Sequence, residues 1–331
     1  MHSQMKKLST ILLCTTMWVE CAFAHGALAG ISEKSVYDIN GDAVVNVGDV
    51  AQLITYVTDP ASGFPEAVNE QYRAMVSMEP GVFGMGASWE QKRYAMENER
   101  PLHDVTLYPF SISSHEVTQA LWECVMGNNP SEHVGKNLPV ENVAYDECEM
   151  FAERLRALTG INYRMPTEAE WEYAARGGMY SEFFVFSGGE DPYEVAWFSD
   201  NSGGHTHPVC QLAPNEKGLY DMGGNVAEWV VDRYATYSDA HQTNPVGPQE
   251  GSNNCVIRGG SWSDGYADCR TTRRKSMYKY YFSPTVGLRL VIDRDDYNHT
   301  PEYLIGYDVN GDGLLNVTDI TTLISVVQDD M

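Results

Sequence analysis

The chain is poor in positive charge: Lys and Arg number 22 against 46 Asp and Glu, a formal net charge of -24. Neutralising phosphates takes clustered Lys and Arg, so nucleic acid and anionic membrane surfaces are excluded as partners, whereas divalent cations and basic partners fit. Long apolar runs are missing as well. The amino-terminal stretch over residues 8–19 is too short to span a bilayer comfortably. Cysteine is sparse, with seven in 331 residues. Disorder is not the expectation either, because 43% hydrophobic with 21% charged residues is an ordinary globular mixture. A chain of this length can bury one large core or two smaller ones.

The amino terminus carries Lys6-Lys7, the apolar stretch and then Ala22-Phe23-Ala24. Positive flank, short apolar run and small-x-small site describe a secretory signal over residues 1–24, cleaved after Ala24; a stop-transfer anchor is the alternative. Neither Cys14 nor Cys21 follows the small residues that a lipid-attachment site needs, so the mature protein reads as soluble and extracytoplasmic. Cleavage leaves Cys124, Cys148, Cys210, Cys255 and Cys269. An odd number in an oxidising space implies a free thiol or an intermolecular bond. Cys255 with Cys269, and Cys124 with Cys148, are candidate pairs.

Self-similarity links the two ends. Tyr37-Asp38-Ile39-Asn40-Gly41-Asp42 recurs as Tyr307-Asp308-Val309-Asn310-Gly311-Asp312. Oxygen-bearing side chains at loop positions 1, 3, 5, 9 and 12 are the spacing by which a tight loop wraps calcium. The ligands would be Asp38, Asn40, Asp42, the Val44 carbonyl, Asn46 and Asp49 in the first loop, and Asp308, Asn310, Asp312, the Leu314 carbonyl, Asn316 and Asp319 in the second. Ala43 stands where such loops favour glycine, while the second loop has Gly313, so the second should bind more tightly. Asp at position 12 and one short apolar helix after each loop make each copy, over residues 34–59 and 303–329, resemble half of a type I dockerin. Neither half can form a core alone, so the two are expected to meet. The partner this resemblance implies is a cohesin-like scaffold or surface protein, although Val47-Gly48 and Val317-Thr318 depart from the usual recognition pairs.

Between the repeats, residues 60–74 read as a linker and residues 75–293 as a separate domain. Gly81-Val82-Phe83-Gly84-Met85-Gly86 has the pattern of a strand with close backbone approach. Residues 105–112 alternate as one strand. Helices are expected over 118–126, over 145–158 with Phe151, Leu155 and Leu158 on one face, and over 167–176 with Thr167 and Glu170 as a capping box.

Two motifs then name a family. Gly218-Leu219-Tyr220-Asp221-Met222-Gly223-Gly224-Asn225-Val226-Ala227-Glu228-Trp229 and the segment from Cys255-Val256-Ile257-Arg258-Gly259-Gly260-Ser261-Trp262 to Gly287-Leu288-Arg289-Leu290-Val291 resemble the formylglycine-generating enzyme, or sulfatase-modifying factor, domain. The resemblance implies an α+β, irregular, C-type-lectin-like fold. It also implies an oxidase that holds copper(I) between two cysteines after Gly-Gly-Ser and converts a sulfatase cysteine to formylglycine. Here the second of those positions is Cys269 but the first is Asp264, a hard ligand that copper(I) does not favour. The family's oxygen-pocket tryptophan falls on Ala227. Copper chemistry is therefore not expected, and Cys269 and Ser261 remain as candidate catalytic residues. A calcium site also carries over from the family, onto Asp221 and Glu228 as side chains and Gly224 and Val226 as carbonyls.

Trp262, Asp264, Arg270, Arg273 and Arg289 gather in one segment. They are either an anion, peptide or glycan pocket, or arginines forked onto acids such as Glu172 and Glu228. His205-Thr206-His207 lacks a third metal ligand nearby and reads as a solvent-exposed loop. Two functional classes result: a secreted, calcium-binding assembly module docked through its repeats, or an oxidase.

Overall fold

The computed structural model describes residues 49–51, 53, 64–91, 93–248, 251–293, 319 and 321–325. The proposed signal segment and every expected calcium ligand of the two end loops except Asp49 and Asp319 lie outside these residues. The chain forms two compact units, one over Pro65–Asn298 and one built from both ends, Met1–Phe64 with His299–Met331. In the unit of the two ends, Asp49, Val50, Ala51 and Leu53 are helical, as are Asp319 and residues 321–325. Leu53 and Leu323, at matching positions, are fully buried, and so are Asp49 and Asp319. Ile324, next to Leu323 on the short apolar helix, lies at the surface. Among the described residues no helix is long and apolar enough to cross a membrane.

The larger unit is a mixed α/β fold. It opens with helix α1 (Glu66–Arg73), inside the stretch read as a linker; Val68 is fully buried, so this segment is part of the domain. Strands β1 (Met75–Met78), β2 (Gly81–Met85), β3 (His103–Leu107) and β4 (Phe110–Ser113) follow. The single strand expected over 105–112 is thus two, in different sheets. Pro109 has no amide hydrogen to continue a ladder, and the chain changes sheet there.

Helix α2 (Gln119–Met126) starts where the Thr118 hydroxyl accepts from the Leu121 amide and stops at left-handed Gly127. Helix α3 (Tyr145–Thr159) starts where Glu147 reaches back to the Ala144 amide and stops at left-handed Gly160. Its inner face is Cys148, Phe151, Ala152, Leu155 and Thr159; Leu158 points to solvent at the last turn. Phe151 stacks on Trp122 of α2 at 4.9 Å between ring centroids.

Helix α4 (Glu168–Ala175) has the expected capping box: the Glu170 amide donates to the Thr167 hydroxyl and the Thr167 amide to the Glu170 carboxylate. All eight of its residues are buried. After the short α5 (Pro192–Val195) come β5 (Ala227–Arg233), β6 (Gln242–Thr243), β7 (Asn254–Arg258), β8 (Arg274–Tyr278), β9 (Val286–Leu288) and β10 (Val291–Asp293). Three sheets result, in the orders β1-β4-β10, β2-β3-β6 and β8-β7-β5-β9. In the last, β5 runs antiparallel to β7 and parallel to β9, which puts Glu228 between Arg258 and Gly287.

A core of Met78, Val105, Phe110, Trp171, Tyr173, Met222, Val230 and Val291 joins α4 to these sheets. The glutamates of α4 cannot stay unpaired there. Arg274 takes Glu168 at 2.6 Å, Arg164 forks onto Glu170 at 2.8 Å, and Arg258 and Arg176 share Glu172 at 2.6 and 3.0 Å.

All five cysteines of the larger unit are free thiols, so neither candidate disulfide forms. Cys148 faces the inside of α3, while Cys124 is exposed on α2. Cys255 pairs with Met277 across β7 and β8, and Cys269 joins an apolar cluster of its own.

Gly287 tests how tightly the four-stranded sheet is closed. A Cβ built there would lie 2.3 Å from the Val140 carbonyl oxygen, with no unusual φ involved. Gly287→Ala is expected to destabilise the domain by about 1–3 kcal/mol or more, read by urea denaturation.

Candidate functional site

The loop after β7 turns on two left-handed glycines, Gly259 (φ 92°) and Gly260 (φ 69°). A Cβ on Gly260 would meet the Asp268 carbonyl oxygen at 2.7 Å, so only glycine brings the two strands of this loop so close. That approach sets Ser261 beside Asp264: the serine hydroxyl donates to Asp264 Oδ2 at 2.7 Å. Asp264 Oδ1 receives Lys275 Nζ at 2.6 Å, and the same ammonium lies 3.0 Å from Asp268, which Arg273 also holds at 2.6 Å. Ser261 is fully buried, and its acid and ammonium neighbours are partly exposed.

Cys269 does not join this cluster. Its thiol lies with Val185, Phe186, Val195, Ala196 and Phe198, without exposed surface. Burial pushes the thiol well above its ordinary value, and the charges of Asp264 and Asp268 push it further. Burial in this apolar cluster favours the protonated thiol. The arrangement can hold an ion pair and a buried hydroxyl; it offers no second sulfur.

The expected arginine pocket resolves into structural forks. Arg289 is fully buried and donates to both oxygens of Glu228, the Ser113 carbonyl and the Tyr220 carbonyl. Arg270 is buried and forks onto Glu99 at 2.6 and 2.9 Å. Neither guanidinium is presented to a ligand. Arg273 is tied to Asp268, so of the five pocket residues only Trp262, Asp264 and Arg273 have surface to offer.

The Gly218–Glu228 turn has its own geometry. Asp221 (φ 55°) and Asn225 (φ 54°) adopt left-handed backbone, and a Cβ on Gly224 would lie 2.1 Å from the Trp197 carbonyl oxygen. Asn225 ties the region together: its side chain donates to Glu116 and to the His207 carbonyl, accepts from the His207 amide, and its carbonyl accepts from the Trp262 amide. Of the carried-over calcium ligands, Glu228 is engaged with Arg289 and the Trp171 indole, and Asp221 accepts the Cys210 amide at 2.8 Å.

A third carboxylate, Glu116, sits fully buried beside them and receives the Val226 amide. The sequence gives no sign of it, because Glu116 lies in a different segment from the motif. One guanidinium thus faces three carboxylates. Burial raises Glu116 well above the carboxylate range, and Asp221 and Glu228 add to that. Burial likewise raises Asp221 to about 6, against the Cys210 amide and Arg289. The cluster is short of positive charge and suits a proton or a hard cation. Among the described residues no group of three or more His, Cys, Asp and Glu side chains is arranged to hold a metal; the carried-over set has two side chains and two carbonyls.

Residues 61–294 match the family described as the sulfatase-modifying factor enzyme 1-like domain. The chain belongs to this family. It is 32% identical over 238 residues to a chaperone protein, LppX, of Paenibacillus barcinonensis, covering 57% of this chain and 81% of that protein. It is 27% identical over 300 residues to the formylglycine-generating enzyme of Streptomyces coelicolor, covering 70% of this chain and 93% of the enzyme. The solved structure of PvdO from Pseudomonas aeruginosa superposes with a TM-score of 0.60 at 30% identity, covering 66% of this chain and 94% of that one. Family membership and the mixed fold agree with the motifs.

The raised carboxylates give stability a slope in pH. The unfolded chain releases the Asp221 proton near pH 4 and the native cluster releases it near 6. Stability from this group is therefore present below pH 4 and falls by roughly 3 kcal/mol as pH rises to 6. In chelator, Asp221→Asn is expected to lack that loss, so its stability relative to the wild-type chain should rise with pH in urea titrations at pH 4.5 to 7.

Proposed function

We propose that this member of the family is an exported, calcium-binding assembly or binding module in which the oxidase chemistry is lost. The observation that carries the reading is the Asp264–Lys275 ion pair, at the position the family resemblance gives to a copper-ligand thiol, together with the burial of Cys269 in an apolar cluster. Copper(I) takes two soft ligands in line, and this loop supplies a carboxylate already neutralised by an ammonium. The chaperone name of one relative supports a non-covalent role on other proteins. The grouping of both chain ends in one unit supports paired repeats within a single chain. In that reading Asp38, Asn40, Asp42, Asn46 and Asp49 hold one calcium ion, and Asp308, Asn310, Asp312, Asn316 and Asp319 a second. The pair presents a dockerin-like face to a scaffold or surface protein. Asp221 and Glu228 with the Gly224 and Val226 carbonyls would hold a third, interior calcium ion, whose charge would balance the excess negative charge that Glu116 adds beside them.

The deciding experiment incubates the full mature chain with a Cys-x-Pro-x-Arg peptide, copper and oxygen, and reads the peptide by mass spectrometry. The expected result is an unchanged peptide. Conversion of thiol to aldehyde, abolished by Cys269→Ser, would establish the oxidase reading instead.

Calorimetric titration with calcium examines the repeats. A tighter site is expected to vanish in Asp312→Ala and a weaker one in Asp42→Ala, following Gly313 and Ala43 at the turn. Absence of both transitions in the wild-type chain would remove the dockerin-like reading.

A further inference from the structure

Three histidines from two distant loops meet beside Trp262. His133 comes from the loop after α2, and His205 and His207 from the loop before the Gly218 turn. The ring centroids of His133 and His205 lie 6.3 Å apart, and those of His205 and His207 lie 4.6 Å apart. Trp262 stands edge-on to His133 at 5.2 Å, and Trp197 stacks on His207 at 3.8 Å. The fold brings a third histidine, His133, to the pair of His205 and His207.

Each ring has an oxygen group behind it. His205 Nδ1 lies 2.8 Å from the Thr206 carbonyl, and His207 Nε2 lies 2.7 Å from the Ser202 carbonyl. A carbonyl only accepts, so these nitrogens carry the protons, and the neutral rings present lone pairs at His205 Nε2 and His207 Nδ1. His133 Nδ1 is buried and faces Glu141 Oε1 at 3.8 Å. A carbonyl or carboxylate behind each imidazole is how histidine ligands are oriented and made more basic at metal centres.

We propose that His133, His205 and His207 form a site for a borderline divalent transition-metal ion such as zinc. Imidazole nitrogens select such ions over calcium. The three rings are not closed around one point, and no three such side chains among the described residues are. His205 supplies the closing movement: it is exposed and follows Gly203 and Gly204, whose φ angles are 67° and 82°, and a Cβ on Gly204 would meet nothing within 4 Å. Three protein nitrogens leave the fourth position of a tetrahedral ion open to water or to a group from a bound partner.

The test titrates the full chain with zinc in excess calcium, which occupies oxygen sites, and repeats it with cobalt(II) to read ligand type from its visible absorption. One equivalent is expected, with the bands of nitrogen-ligated, four- or five-coordinate cobalt. His205→Ala, at an exposed position that cannot unfold the domain, and His133→Phe should each weaken binding at least about tenfold. His241→Ala, an exposed histidine bonded to Thr106, should leave it unchanged. Equal zinc affinity in the wild-type chain and His205→Ala, or no binding in the wild-type chain, would overturn the proposal.

Discussion

The Glu172 carboxylate, fully buried between Arg258 and Arg176, is the constraint on which the larger unit depends. Burial alone would raise it, but the two guanidinium groups, with the Gly86 amide, hold it lowered and therefore charged. Arg258 lies over the Trp171 ring at 5.0 Å and also donates to the carbonyls of Thr271, Thr272 and Arg273. One side chain thus fixes α4, the end of β7 and the approach to β8 together. With Arg274 on Glu168 and Arg164 on Glu170, the helix is clamped from three directions. Leaving any one of these charges without its partner inside the core would cost several kcal/mol. Arginine suits the task because its planar fork satisfies two oxygens at once and does not lose its proton.

The functional loop is built on that frame. β7 delivers Arg258 into the core and then, through Gly259 and Gly260, turns Ser261 out against Asp264. The same loop carries the Asp264–Lys275 ion pair at its surface, beside the buried Ser261 hydroxyl.

Local signals were legible where local physics decides. Thr167 and Glu170 announced the start of α4, Gly127 and Gly160 the ends of α2 and α3, and the Gly-Gly-Ser and Gly-Leu-Tyr segments announced the family. Pairings between distant segments were not. Glu99 and Arg270 are 171 residues apart, and nothing in either neighbourhood names the other. The same holds for Glu116 beside Asp221, for Lys275 on Asp264 and for His133 beside His205. The alternation over 105–112 hid a change of sheet, because Pro109 breaks a ladder without breaking the hydrophobic rhythm. The stretch 60–74 carried linker-like Ser-Gly and Pro, yet Val68 and its neighbours pack inward. Two plausible cysteine pairs failed because their elements place them on different partners.

The grouping of both chain ends in one unit has a consequence for biosynthesis. The half of that unit with the apolar residue Leu53 leaves the ribosome well before its counterpart around Leu323. The intervening domain can fold in the meantime, but the unit can be completed only after the stretch around Leu323 has been made, so Leu53 waits for its counterpart while more than two hundred residues are added.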